Sequence, residues 1–198
     1  MKTNKQKIQW ITAVGLLSAM VIVLQFVSMA LRFSAFSITL TLIPIVVGAA
    51  LCGPAAGTWL GFVFGMSVLL TGDAAGFMVW SIPGTIITVL AKGMLAGLVA
   101  GLIFKALEKK NRVLATILAA ISAPVVNSGT FLLGCLAFFY ENITAASAGS
   151  AYAGNTVAFI LMVYIGFNFI LEFAINTVLS PTVVYIVNIG KKSLFGKK

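Results

Sequence analysis

Residues 84–112 read GTIITVLAKGMLAGLVAGLIFKALEKKNR. From Gly84 to about Leu107 the stretch is long and apolar enough for a membrane helix, which needs about 20 such residues. Gly93, Gly97 and Gly101 recur every fourth residue and so share one face of that helix, where missing side chains let another backbone come close. The run closes on Lys105, Lys109, Lys110 and Arg112, a basic cluster of the kind that accumulates on the cytoplasmic side of a membrane. One cation does not belong to that cluster. Lys92 lies inside the run, about 12 Å below its far end at 1.5 Å per residue.

The rest of the chain repeats the pattern. Of 198 residues, 61% are hydrophobic and 9% charged, and the mean hydropathy is +1.11. Soluble domains carry roughly 25% charged residues, so the composition belongs to lipid. Further apolar runs are expected at 10–30, 38–52, 55–70, 113–140 and 156–180, giving with 84–107 an all-α membrane protein. That is a compact bundle of six transmembrane helices in one integral domain covering 1–198. The second run is short enough to be tilted or shielded by protein. Gly53-Pro54 signals a tight turn between the second and third runs. Pro124 and Pro181 are expected to bend the fifth and sixth. Residues 71–83 and 141–155 read as connections, the latter as an external loop or a short surface helix. The first run is too long for a signal-peptide core and is expected to remain as a span.

Thirteen Lys and Arg residues give the chain a net charge of +9. Lys2, Lys5 and Lys7 precede the first run, and Lys191, Lys192, Lys197 and Lys198 follow the last. With the 105–112 cluster, these place both termini on the cytoplasmic side of an even number of spans. They also suit contact with anionic lipid. No exposed aromatics interleave with them, so nucleic acid is not an expected partner. Trp10, Trp59 and Tyr185 fall near the inner interface and Trp80, Tyr140 and Tyr152 near the outer one. Arg32 and Lys92 are the two cations that topology does not explain.

Small-residue stripes recur at Gly57, Gly61 and Gly65 in the third run and at Ala115, Ala119 and Ala123 in the fifth. Packing within the chain's own bundle is the expectation for these, with docking on another subunit as the alternative. Gly15 and Ala19 form a weaker version in the first run.

Ionisable groups inside spans default to a functional hypothesis. Besides Lys92, Glu172 stands mid-span on one face with Asn168 and Asn176, and Asn127 follows the Pro124 bend. Two readings remain open. Lys92 and Glu172 neutralise each other while the Asn residues tie helices together, or all line a ligand cavity walled by aromatic and aliphatic groups. Cys52 and Cys135 have no metal or redox spacing and read as buried hydrophobes. The chain has no His and only four acids, widely scattered. That excludes Ser-His triads and His-containing metal sites, and no phosphate-binding Gly-rich loop is present. No enzyme, cofactor or metal is therefore expected. A solute carried actively would need ion coupling or an energising partner.

Four stretches together resemble one family. They are Ala13-Val-Gly15-Leu-Leu-Ser-Ala19; the segment from Ile43-Pro44 through Gly48 and Gly53-Pro54 to Gly57; Lys92-Gly93 through Gly97 to Gly101; and Asn168 to Pro181. The chain resembles the S component, the substrate-binding membrane subunit, of energy-coupling-factor (ECF) vitamin transporters. The resemblance implies high-affinity binding of a vitamin or related micronutrient arriving from outside, in the cell membrane of a bacterium. It implies docking on a transmembrane coupling subunit driven by two cytoplasmic ATPases. The family's Ala-xxx-Ala contact for that subunit corresponds to Gly15 and Ala19 here. The family's outer pocket corresponds to Arg32, Trp80, Lys92, Asn127, Tyr140, Asn168 and Glu172. Lys92 and Arg32 tilt the expectation slightly toward an anionic vitamin such as pantothenate. If Glu172 pairs with Lys92, a neutral ring is equally suited. A stand-alone ion-coupled transporter protonated at Glu172 is the competing function.

Overall fold

A computed structural model describes residues 4–30 and 39–195. Arg32 lies outside the described residues. All regular structure among the described residues is helical: α1 (Asn4–Ala30), α2 (Leu42–Cys52), α3 (Pro54–Leu70), α4 (Ala75–Met78), α5 (Ile82–Leu107), α6 (Arg112–Phe138), α7 (Tyr140–Ser147) and α8 (Thr156–Phe159). A π-helical segment, Ile160–Gly166, then joins α8 to α9 (Phe167–Phe195). Four helical stretches are long and apolar enough to cross a membrane: Lys7–Ala30, Ile82–Leu107, Arg112–Phe138 and Thr156–Lys192. The helices Leu42–Cys52 and Pro54–Leu70 are apolar but shorter.

Local sequence accounts for the helix ends. Gly53, at φ 98°, makes the turn between α2 and α3, a conformation that a side chain would strain, and Pro54 opens α3 with its ring preset for a first helical turn. Ser81 caps α5 by accepting from the Gly84 amide at 3.2 Å, and Asn111 caps α6 by accepting from Leu114 at 3.1 Å. Pro124 and Pro181 lie inside α6 and α9, and each helix continues past its proline. The last helix therefore runs to Phe195, well beyond the expected end at 180. The 71–83 connection contains the single turn α4, and the 141–155 stretch opens with α7.

The glycine stripes pack against each other. A Cβ on Gly57 would collide with the Gly97 carbonyl, and one on Gly61 with the Gly93 carbonyl. The same holds in reverse from Gly93 and Gly97, and a Cβ on Gly101 would press on Pro54. Backbones of α3 and α5 thus touch along an antiparallel seam, the close approach that small residues permit in helix pairs. Ala115, Ala119 and Ala123 are fully buried in a core shared with Val46, Val47, Phe104, Val183 and Val187. Both stripes serve the chain's own packing.

One end of the bundle gathers the basic groups. The Trp10 indole N–H donates to the Cys52 carbonyl at 2.9 Å, and Gly190 packs against Leu51. The Lys191 ammonium meets Glu108 Oε2 at 2.7 Å and lies 4.9 Å from the centre of the Phe104 ring. The beginning of α1, the α2–α3 and α5–α6 turns and the last turns of α9 therefore meet at one end, called here the basic end.

Outward faces are apolar. On α1, Ile11, Leu16, Val23 and Phe26 are exposed, and on α9 Ile170 and Val178 are too. Such a surface suits lipid. In α2 the opposite holds: nearly every residue from Leu42 to Ala50 is buried. This helix rises only ~16 Å at 1.5 Å per residue, so the chain reaches it at mid-depth. Non-helical backbone at that depth is tolerated where it is buried or lines a cavity. Thr39 and Leu40, just before α2, are in that position: Thr39 lines the cavity described next, and the Leu40 amide donates to Ser28 Oγ at 3.2 Å.

Candidate functional site

Away from the basic end, helices α1, α3, α5, α6 and α9 part around a cavity of about 330 Å³. The 71–81 connection covers it with Asp73, Ala74 and Phe77. Ligand pockets are mostly apolar with a few convergent polar groups, and this cavity has that composition. Phe64, Phe77, Phe131, Phe139 and Tyr164 form its aromatic wall. Phe77 sits at the centre of the cluster, with ring centroids 5.3–5.5 Å from Trp80, Phe131, Phe139 and Tyr164.

Helix α5 contributes Thr85, Thr88, Val89 and Lys92, which the three- and four-residue spacing puts on one face. The Lys92 ammonium stands 5.2 Å from the Phe131 ring centroid and 5.7 Å from that of Phe64. Cation–π attraction of this kind is worth ~0.5–2 kcal/mol. Taking an ammonium out of water costs several kcal/mol, so the rings offset only part of it. Among the described residues Lys92 forms no ion pair. Glu172 attracts it electrostatically from beyond ion-pair distance. The two residues of the first reading thus attract each other without a direct ion pair.

Glu172 has partners of its own. It is 5% exposed and accepts from Asn127 Nδ2 at 3.2 Å, with the Thr39 side chain beside its carboxyl group. Asn176, one turn along α9, donates to the Glu172 backbone carbonyl at 2.8 Å. On the opposite wall the Gln25 amide donates to Asp73 Oδ2 at 3.2 Å, joining α1 to the covering connection. Asn168 lines the cavity one turn before Glu172. The π-helical segment supplies three consecutive wall residues, Val163, Tyr164 and Ile165. Such segments are rare and often occur at functional sites.

Four residues singled out from sequence thus meet around one space: Lys92, Asn127, Asn168 and Glu172. Two others do not. Trp80 stands behind Phe77 and Phe139, off the lining surface. Tyr140 begins α7 and is 48% exposed. Both had drawn attention as interfacial aromatics, and that role needs no cavity. Sequence reading passed over Gln25, Asp73, Thr85, Thr88, Phe77, Phe131 and Tyr164. A signal existed for the two threonines, which precede Lys92 by seven and four residues. Among the described residues no cluster of His, Cys, Asp and Glu is arranged to hold a metal.

Gly15 and Ala19 are exposed on α1, and a Cβ on Gly15 would touch nothing. Unlike the α3 and α5 glycines, this pair faces away from the bundle. Ser18 beside it donates to the Val14 carbonyl at 2.8 Å and accepts from the half-exposed Trp59 indole at 3.3 Å.

The family model described as "ECF transporter, substrate-specific component" matches residues 9–184. The chain belongs to that family. No curated protein and no solved structure matches it. As an ECF substrate-specific component with these apolar helices, it is a multi-pass membrane protein of transport. Members of the family bind substrate and are not enzymes.

Proposed function

We propose that the chain is the high-affinity substrate-binding subunit of an ECF-type ABC importer for a vitamin or related micronutrient. In this reading it sits in the cell membrane of a bacterium, with six spans and both termini in the cytoplasm. The basic end carries Lys105, Lys109, Lys110, Arg112, Lys191 and Lys192, and loops rich in Lys and Arg stay inside. The cavity then opens toward the outside, where the solute arrives. The observation that carries the reading is a cavity in a chain of this family, lined by a cation with no ion pair among the described residues. An anionic solute suits that cation, because a desolvated charge is stabilised by an opposite one.

Energy comes from partners: a transmembrane coupling subunit and two cytoplasmic ATPases. Gly15 and Ala19 supply a close-approach surface for the coupling subunit, and their outward placement on α1 supports that role. Replacing either with Leu is expected to abolish uptake while leaving solute affinity within about 0.5 kcal/mol of wild type, as for surface changes remote from a site. Wild-type uptake in both variants would remove the docking assignment.

The deciding experiment is uptake in membrane vesicles with and without the ATPase module. Accumulation is expected only with the module and ATP. Accumulation by this chain alone would favour the ion-coupled transporter, with Glu172 as its proton site.

A further inference from the structure

We infer that the cavity reads its ligand at two separated points, so that the ligand is a monoanionic acid carrying a hydroxyl or N–H donor remote from its anionic group. The inference rests on the cavity being the substrate site. Lys92 is the first point. It has aromatic faces on two sides and no ion pair among the described residues, so an anionic oxygen group completes it. Glu172 shares the same walls, and a second negative charge on the ligand would be repelled by it.

Asn127 is the second point. Its Nδ2 donates to Glu172 Oε2 at 3.2 Å. That contact turns the amide with its nitrogen toward α9 and leaves Oδ1 as an acceptor. Asn127 is 4% exposed and lines the cavity, and Oδ1 has no hydrogen-bond partner among the described residues. A buried acceptor left bare is costly, and a ligand donor removes that cost. Glu172 is in this scheme a positioning residue, acting through Asn127.

Thr88 adds a third contact. Thr85 returns its hydroxyl to the Ser81 carbonyl at 2.7 Å, the ordinary habit of a helical threonine. Thr88 Oγ1 has no partner among the described residues, and its side chain fills the space that a Cβ on Gly134 would need. The missing side chain at Gly134 thus lets this hydroxyl stand at the cavity wall.

Register fixes the order of the points. Thr88 faces Gly134 and Gly84 faces Phe138, so Asn127 lies nearer the basic end than Lys92, by nearly a turn of α5. Helical side chains lean toward the N-terminus of their helix, which carries the Lys92 ammonium still farther from Asn127. The separation is on the order of one helical turn or more, ~5 Å upward. The donor end of the ligand enters first, and the anionic group stays nearer the mouth.

The test is to identify by mass spectrometry the small molecule released on denaturing the full-length chain, purified in detergent from cells grown in rich medium. The expected molecule has one acidic group and at least one further O–H or N–H. Wild-type protein should prefer it by about a hundredfold or more over its O- or N-methyl derivative, as sites built around a hydrogen bond do. Asn127→Ala and Glu172→Gln should retain roughly tenfold less of it and lose most of that preference. A purely structural role for Glu172 would lower stability without changing the preference. If Asn127→Ala does not elute as a single species, the competition on wild-type protein decides. An uncharged molecule, an acid without a donor, or unchanged preference in both variants overturns the inference and leaves the binding-subunit reading intact. Release of no molecule overturns both.

Discussion

Helix α6 presents two kinds of surface along its length. Near the basic end it offers Ala115, Ala119, Ala120 and Ala123, all fully buried against aliphatic side chains of α2, α5 and α9. Past Pro124 it offers Asn127, Ser128 and Phe131, and these line a space. The same contrast runs through α5, where Gly93 and Gly97 touch the α3 backbone while Thr85, Thr88 and Lys92 face the cavity. Small residues bring helices together until no space remains. Large aromatic and polar residues hold the same helices apart, and a cation stays between them without an ion pair among the described residues. The packed end gives the molecule its stability. The open end keeps groups in place at a cost, as binding sites do.

Substituting on either side of this divide should produce different losses. The largest effect is expected for Gly61→Leu, whose new side chain would meet the Gly93 carbonyl along the seam. A rigid backbone contact cannot yield as a flexible side chain does, so a loss of ~3 kcal/mol or more is expected, the upper part of the overpacking range. Thermal unfolding in detergent would measure it, and a melting temperature equal to wild type would mean that the seam is looser than described. Next is Lys92→Met, with opposite signs in two assays. Affinity for the co-purified anion should fall by about 2–5 kcal/mol, as for a buried charged partner. The melting temperature of ligand-free protein should rise, because a desolvated cation with no ion pair among the described residues is removed. A fall in both would make Lys92 a packing residue. The smallest effect is expected for Gly129→Ala on α6, where a Cβ meets nothing. Helix propensity alone then acts, and stability should rise by up to ~1 kcal/mol. Destabilisation would reveal a contact at Gly129 that the bundle as described lacks.

Much of the packed end is legible in the amino-acid sequence alone. A glycine every fourth residue imposes one face and one consequence, so the α3–α5 seam follows from spacing. Gly53-Pro54 likewise fixes its turn by backbone chemistry alone. At the open end, Lys92, Asn127, Asn168 and Glu172 stand out because each is costly in an apolar run. The aromatic wall does not, since Phe64 and Phe131 are ordinary residues for a membrane helix and Phe77 sits in a connection. Spacing puts Thr88 on the Lys92 face, but a helical threonine hydroxyl normally bonds to its own helix, and its bare hydroxyl shows only in the packing against Gly134. Trp80 and Tyr140 mislead, as interfacial aromatics resemble mouth residues in composition. The second run is short enough to suggest shielding, but what shields it carries no sequence signal, and neither does the π-helical segment. Both depend on what the neighbouring helices leave open.

If the open end holds one small molecule, native mass spectrometry of the intact chain released from detergent should detect it. A species heavier than the chain by the mass of a single small acid is expected, lost when Ser128→Trp fills the cavity. A bare chain mass under all gentle release conditions, or the same added mass in wild type and Ser128→Trp, would contradict it.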